Sequence, residues 1–188
     1  MVNKTNHSIS IDIILVSVLM CLIGCHREFK LFTDAVSDRA SIPVLMATDV
    51  TTLISDSGIT RYRITAPTWK MYDKAEPPYW EFEDGIYLEK FNEDLEVDAS
   101  LQSDYAHYDE EAQIWHLVGN VHSVNLQGEI FDTPELFWNQ KTERIYSDSS
   151  ITIVRETSTI MGIGFESNQE MSKYTILSPT GYFPVKDE

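Results

Sequence analysis

Apolar and polar side chains alternate with period two along most of this chain, and clusters of turn-forming residues break the alternation at short intervals. The pattern is densest in residues 103–138, SDYAHYDEEAQIWHLVGNVHSVNLQGEIFDTPELFW, which read as strand, polar turn, strand, tight turn, strand. The opening of that stretch recurs as a small residue followed by an apolar and then a large side chain. The copies are Ala66-Pro67-Thr68-Trp69-Lys70-Met71, Ser103-Asp104-Tyr105-Ala106-His107-Tyr108 and Thr133-Pro134-Glu135-Leu136-Phe137-Trp138. Each leads into a polar turn (residues 73–78, 109–113 and 139–144) and then a strand starting at Trp80, Trp115 or Ile145. The copies start 37 and 30 residues apart, a spacing shared by stacked repeat units. Generic hairpin chemistry gives the same pattern.

The remaining segments obey the same period. In residues 59–65, Tyr62 and Ile64 share one face and Arg61 and Arg63 the other, after a turn at Asp56-Ser57-Gly58. Pro67 is expected at a strand start or edge, because it lacks the N–H a central strand donates. Residues 79–91 set Trp80 and Phe82 against Glu81 and Glu83, with Asp84-Gly85 interrupting before Ile86 and Leu88. Residues 94–101 place Leu95, Val97, Ala99 and Leu101 together, and residues 115–121 do so for Trp115, Leu117, Gly119 and Val121. Strands follow at residues 129–131, 145–154, 160–165 and 174–177, and no segment after residue 45 keeps a helical period. Short strands at such intervals point to an all-β sandwich, jelly roll or barrel.

The N-terminus has a different character. Residues 9–23 are apolar except for Ser10, Asp12 and Ser17, and end Leu22-Ile23-Gly24-Cys25. A membrane span needs ~20 apolar residues, so this length suits the apolar region of a signal peptide. The ending resembles a bacterial lipobox, in which a small residue precedes a cysteine whose thiol is acylated; cleavage before Cys25 would make it the lipid attachment site. An uncleaved anchor or a signal cut elsewhere would also fit. The other cysteine, Cys21, lies inside the apolar segment, so cleavage leaves no disulfide, no CxxC pair and no cysteine metal site. Residues 25–45 read as a tether, residues 46–178 as the β domain and residues 179–188 as a C-terminal tail. The net charge of −16 argues against nucleic acid, whose phosphates demand a basic surface.

The run Tyr108-Asp109, Trp115-His116-Leu117-Val118-Gly119-Asn120-Val121, Gly128, Thr133-Pro134-Glu135-Leu136, Trp138-Asn139, Ile151 and Gly162-Ile163-Gly164-Phe165 resembles the LptC and OstA-like families of the lipopolysaccharide export machinery. The family pattern is a turn Asp, a strand ending Gly-Asn-Val, a Gly, then Thr-x-x-Leu before an aromatic-Asp/Asn turn. A Gly-x-Gly-aliphatic stretch closes it, and all parts occur here in order over residues 46–178. The better known LptC proteins keep an uncleaved membrane helix, whereas this chain carries a lipobox-like ending.

The resemblance implies a β-jelly-roll open along one side. Such a protein sits in the periplasm, anchored to the inner membrane more readily than the outer through its N-terminal lipid. It would receive lipopolysaccharide from an inner-membrane ABC transporter and pass it to a periplasmic OstA-like bridge protein. The implied lining of the groove is Tyr62, Ile64, Trp80, Phe82, Ile86, Leu88, Leu117, Val121, Leu136, Ile151 and Ile153. Any β-sandwich would turn the same residues into a closed core. The alternative function is a β-sandwich lipoprotein binding carbohydrate or another protein, with Trp69, Tyr72, Tyr79 and Trp138 as an exposed platform.

Catalysis and cofactors find little purchase. The acids Glu81, Glu83 and Asp84, and Asp109, Glu110 and Glu111, fall on solvated strand faces or in turns. His107, His116 and His122 lack the accompanying ligands of a metal site. Gly162-Ile163-Gly164 precedes no helix, so it signals a bulge or a close strand approach and not a dinucleotide loop. No enzymatic activity, metal or cofactor is expected.

Overall fold

The computed structural model describes residues 39–56 and 58–180. A turn of 3-10 helix at Arg39–Ser41 is followed by eleven strands: β1 (Leu45–Asp56), β2 (Ile59–Tyr72), β3 (Tyr79–Phe82), β4 (Ile86–Phe91), β5 (Val97–Ser103), β6 (Tyr105–Asp109), β7 (Ile114–Val124), β8 (Ile130–Asn139), β9 (Arg144–Val154), β10 (Thr159–Asn168) and β11 (Tyr174–Thr180). All belong to one antiparallel sheet. β3 and β4 are two lengths of a single path broken at residues 83–85, and both pair with β2. β5 and β6 are likewise one path broken at Asp104, and both pair with β7. Chain neighbours are therefore sheet neighbours throughout, an all-β meander with β1 and β11 at its two edges.

Five hairpin turns share one chemistry. Each begins with Asn or Asp, whose side chain accepts from backbone N–H groups inside the turn. Asn92 Oδ1 accepts from Asp94 and Glu96, Asp109 Oδ1 from Ala112, Asn125 Oδ1 from Gln127 and Glu129, Asn139 Oδ1 from Thr142, and Asn168 Oδ1 from Ser172 and Lys173. Each also holds one residue at positive φ: Leu95, Gln113, Gly128, Glu143 and Met171. This pairing of an Asx side chain with a left-handed residue closes a short loop with the twist the strands require.

The breaks in the strands line up across the sheet. The row runs through Asp49 (φ 52), the β3–β4 gap at Gly85, Asp104, Gly119-Asn120 in β7, a register shift in β8 after Asp132, and the bulge at Gly164 in β10. Gly119 is at φ 78, and a Cβ there would lie 2.8 Å from the Asp104 carboxylate, so only glycine fits. Small buried hydroxyls bridge the backbone where it breaks: Ser103 Oγ donates to the Tyr105 carbonyl at 2.8 Å, and Thr133 Oγ1 to the Glu135 carbonyl at 3.0 Å. The small residues that open the recurring sequence segments are thus the points where the sheet bends.

Bending along this row folds the sheet into two leaves around one apolar core. Strand ends beyond the row on one side (the first leaf) meet those on the other (the second leaf). Tyr62 of the second leaf lies 6.4 Å, ring to ring, from Trp138 of the first, and Phe131 of the second leaf sits edge-on to Tyr174 at 5.2 Å. Phe82, Phe131, Phe165, Leu136 and Ile153 are fully buried between the leaves. Each such side chain contributes about 1.5–3 kcal/mol through removal from water.

Two local expectations are corrected. Pro67 lies inside β2, not at a start or edge. It is tolerated because β2 leaves β4 at Thr65 and joins β3 only from Lys70, and opposite it Asp49 breaks the pairing with β1. Leu95 belongs to the turn before β5 and is 61% exposed, because the αL position of that turn takes it off the face it shares in the linear pattern.

Candidate functional site

All eleven residues of the expected groove lining lie on the inner side of the folded sheet. Ile64, Phe82, Ile86, Leu117, Val121, Leu136, Ile151 and Ile153 are buried in the common core, and Tyr62, Trp80 and Leu88 are half-buried at its margin. The period-two reading of facing was sufficient for this. The interior is not sealed all round. On the β1 edge, Leu45 and Ile54 pair in register with Met71 and Tyr62 and face the same way, yet remain 41% and 40% exposed.

A cavity of about 170 Å³ lies where the leaves meet at one end. Tyr62, Leu88 and Leu101 form its second-leaf wall, and Trp138 and Ile145 its first-leaf wall. Lys90, Asp98 and Glu170 add charge among the apolar groups. Burial, reinforced by Glu170, raises the Tyr62 phenol pKa above its ordinary value. The β10–β11 turn closes the cavity. Its Met171, at φ 52 and buried, is held by Asn125 Nδ2, which donates to the Met171 carbonyl at 2.9 Å. The Ser123 hydroxyl is shared between the Ser100 carbonyl at 3.0 Å and Met171 Sδ at 3.3 Å. Sequence reasoning missed this turn, because it lies 46 residues from its partner and nothing local marks the contact.

The outer face carries different chemistry. Tyr72 stacks on Tyr79 at 4.5 Å and Tyr79 on His107 at 4.8 Å; His116 stacks on Phe137 at 4.3 Å and Phe137 on Tyr146 at 5.3 Å. His107 and His116 are register partners, so these rings form one ladder across β2, β3, β6, β7, β8 and β9. Its rings stack on one another and, Tyr72 apart, stay half-buried, which is the geometry of cross-strand packing. The aromatic platform of the alternative reading is not assembled: Trp69 and Trp138 pack with the core, while Tyr72 and Tyr79 belong to the ladder.

His116, His122 and several of the acids are engaged in surface pairs. His116 Nε2 lies 2.6 Å from Glu135 Oε1 and His122 Nδ1 2.6 Å from Asp132 Oδ1. Burial lowers the His107 pKa below its ordinary value, against the opposing pull of Glu81 and Asp109. Glu83 pairs with Lys70, Asp84 accepts from Thr68, and Glu110 accepts from the Trp80 indole. Among the described residues, no three His, Cys, Asp or Glu side chains converge as metal ligands, and no helix is long and apolar enough to cross a membrane. Cys25 and the signal-like segment lie outside the described residues.

One antiparallel sheet folded over an apolar interior, with β1 and β11 at its edges among the described residues, is a jelly-roll-like architecture. The family model for lipopolysaccharide-assembly, LptC-related proteins matches residues 13–182, and the chain belongs to the LptC family. That membership assigns it a role in lipopolysaccharide transport, as a periplasmic, envelope-associated transport and binding component. A search of curated proteins finds no significant match.

Proposed function

We propose that this chain receives lipopolysaccharide from the inner-membrane ABC transporter and passes it to a periplasmic OstA-like bridge protein, holding the acyl chains between its two leaves. The observation that carries the reading is the unsealed β1 side: the inward apolar groups of Leu45, beside Met71 at one end, and of Ile54, beside the half-buried Tyr62 at the other, lie open to solvent, and Tyr62 also walls the end cavity. Each buried CH₂ of an acyl chain is worth about 0.8 kcal/mol, so such a surface holds a chain without covalent chemistry. The groove lining is the inward set from Tyr62 to Ile153 named above. Parting the leaves would expose its buried members to the lipid. β1 and β11, each paired with one strand among the described residues, supply edges to which neighbouring domains can add a strand. Diacylated Cys25 tethers the domain to the inner membrane, and the residues between it and β1 span the headgroups.

The test is in-cell photocrosslinking with a reactive residue at Tyr62 or Leu88, and with outward-facing Glu83 as control. Lipopolysaccharide adducts at the two inward positions and none at Glu83 are expected. Adducts at none of them, in a folded protein, would mean that the leaves enclose an ordinary core.

A further inference from the structure

The hairpin turns of the two leaves differ in chemistry. On the second leaf, Ile59 follows the β1–β2 turn, Leu95 lies in the β4–β5 turn and Leu126 in the β7–β8 turn. All three are exposed, Leu95 and Leu126 by 61% and 63%, and Val97 at the start of β5 is exposed beside them. The first-leaf turns at residues 73–78, 110–113, 140–143 and 169–173 hold no exposed large apolar side chain. The apolar tips are neighbours: Tyr62 pairs with Lys90 and Ser100 with Val124, so the three turns lie side by side at one end of the leaf. Adjacent strands are ~4.8 Å apart, which sets successive tips about 10 Å apart. Isolated exposed aliphatic groups are ordinary, but a row of them confined to one leaf marks a contact surface.

Leu95 gives the strongest sign. It sits at φ 62, where a bulky side chain is disfavoured, and its exposure returns no burial energy to the fold. Met171, also at positive φ, is buried, and the other three turns use Gln113, Gly128 and Glu143. A leucine in this place is unfavourable for the chain alone and favourable where a partner covers it. The charges around it define that partner. In Asn92-Glu93-Asp94-Leu95-Glu96 three exposed carboxylates flank Leu95, and none of them forms an ion pair among the described residues. Neither this turn nor residues 125–129 contain Lys or Arg. An anionic bilayer surface would repel these carboxylates, and a second copy of the chain would set like charges against them.

We propose that this row of turns is a docking surface for a basic amphipathic helix of a partner protein. Apolar side chains seven positions apart on a helix are separated by ~10.5 Å, close to the spacing of the tips, so one helical face meets Ile59, Leu95 and Leu126 in turn. Lys or Arg beside that face meets Glu93, Asp94 and Glu96. The inference does not depend on the lipid-carrying interior, although Leu126 also lines the end cavity.

The experiment uses the full chain in phosphatidylcholine nanodiscs, with photoreactive benzoylphenylalanine at exposed Gln127 in the β7–β8 turn, or at exposed Lys141 in the β8–β9 turn as control. The probe is a synthetic Leu/Lys peptide with its leucines on one helical face, and its counterpart carries Glu in place of every Lys. The Leu/Lys peptide is expected to crosslink at Gln127 about tenfold more than at Lys141, and the Leu/Glu peptide at neither position. Leu95→Asn places at positive φ a residue that tolerates it, so the thermal midpoint holds while the Gln127 yield falls several-fold. The triple variant Glu93→Gln, Asp94→Asn and Glu96→Gln lowers that yield in the same direction. Equal yields at the two positions, crosslinking at neither, or a Gln127 yield that Leu95→Asn leaves unchanged overturns the proposal. Crosslinking of the Leu/Glu peptide at Gln127 to the same extent as the Leu/Lys peptide overturns it too, because the partner would then not be basic.

Discussion

Tyr105 shows what one side chain contributes on the outer face. Its hydroxyl donates to Glu81 Oε1 at 3.0 Å, and burial, followed by that bond and the Glu81 charge, pushes its pKa up to about 12. Because the folded value lies above the ordinary value of 10.0, the unfolded chain loses this proton first as pH rises. The stabilisation is present in full below pH ~10 and is lost as pH rises towards the folded value. Urea melts of the wild type are expected to weaken over that alkaline window, with a shallower decline for Tyr105→Phe. Identical slopes in the two would place the alkaline loss elsewhere. At this scale the sequence was readable where chemistry is local: the Asp and Asn that open turns at Asp109 and Asn139 were evident. Leu95 and Met171 at positive φ were not, because a side chain in the left-handed region has no compositional signal when the rest of the turn dictates it.

Among the elements, β10 and β11 illustrate how a close approach is encoded. A Cβ on Gly162 would stand 2.2 Å from Ile176 Cγ2 and 2.8 Å from the Ser178 carbonyl oxygen, so glycine lets β11 turn Ile176 onto the core. Gly162→Ala should force the strands apart and destabilise the domain by about 1–3 kcal/mol, seen as a lowered thermal midpoint. An unchanged midpoint would mean that β11 yields without loss. The sequence reading of Gly162-Ile163-Gly164 as a close approach or a bulge holds in both parts, with the bulge at Gly164. The aromatic ladder escaped that reading. Tyr79 meets His107, and His116 meets Phe137, only once hairpin registers are set, and separations of 28 and 21 residues hide the pairing.

For the whole molecule, the proposed attachment to the membrane rests on Cys25 and the apolar segment before it, which lie outside the described residues. Cys25→Ala is expected to abolish incorporation of labelled palmitate and release the chain from the membrane fraction. Retained incorporation would remove the lipid from Cys25, and retained membrane binding without it would indicate an uncleaved apolar anchor. The folded domain itself is a product of both local and distant information. Period-two alternation sets which side chains of each strand point inward, since successive Cβ atoms leave a strand on opposite sides. The sequence alone therefore determined an all-β chain, its turns, the inward set from Tyr62 to Ile153 and the order of motifs shared with its family. It did not determine that Gly85, Asp104, Gly119 and Gly164 fall in one row, or that the row folds the sheet upon itself. Nor did it bring Asp98 to the same cavity as Trp138, or Asn125 to Met171. Those contacts join residues 40 and 46 positions apart in the chain, and they exist only because bulges in neighbouring strands align and bend together.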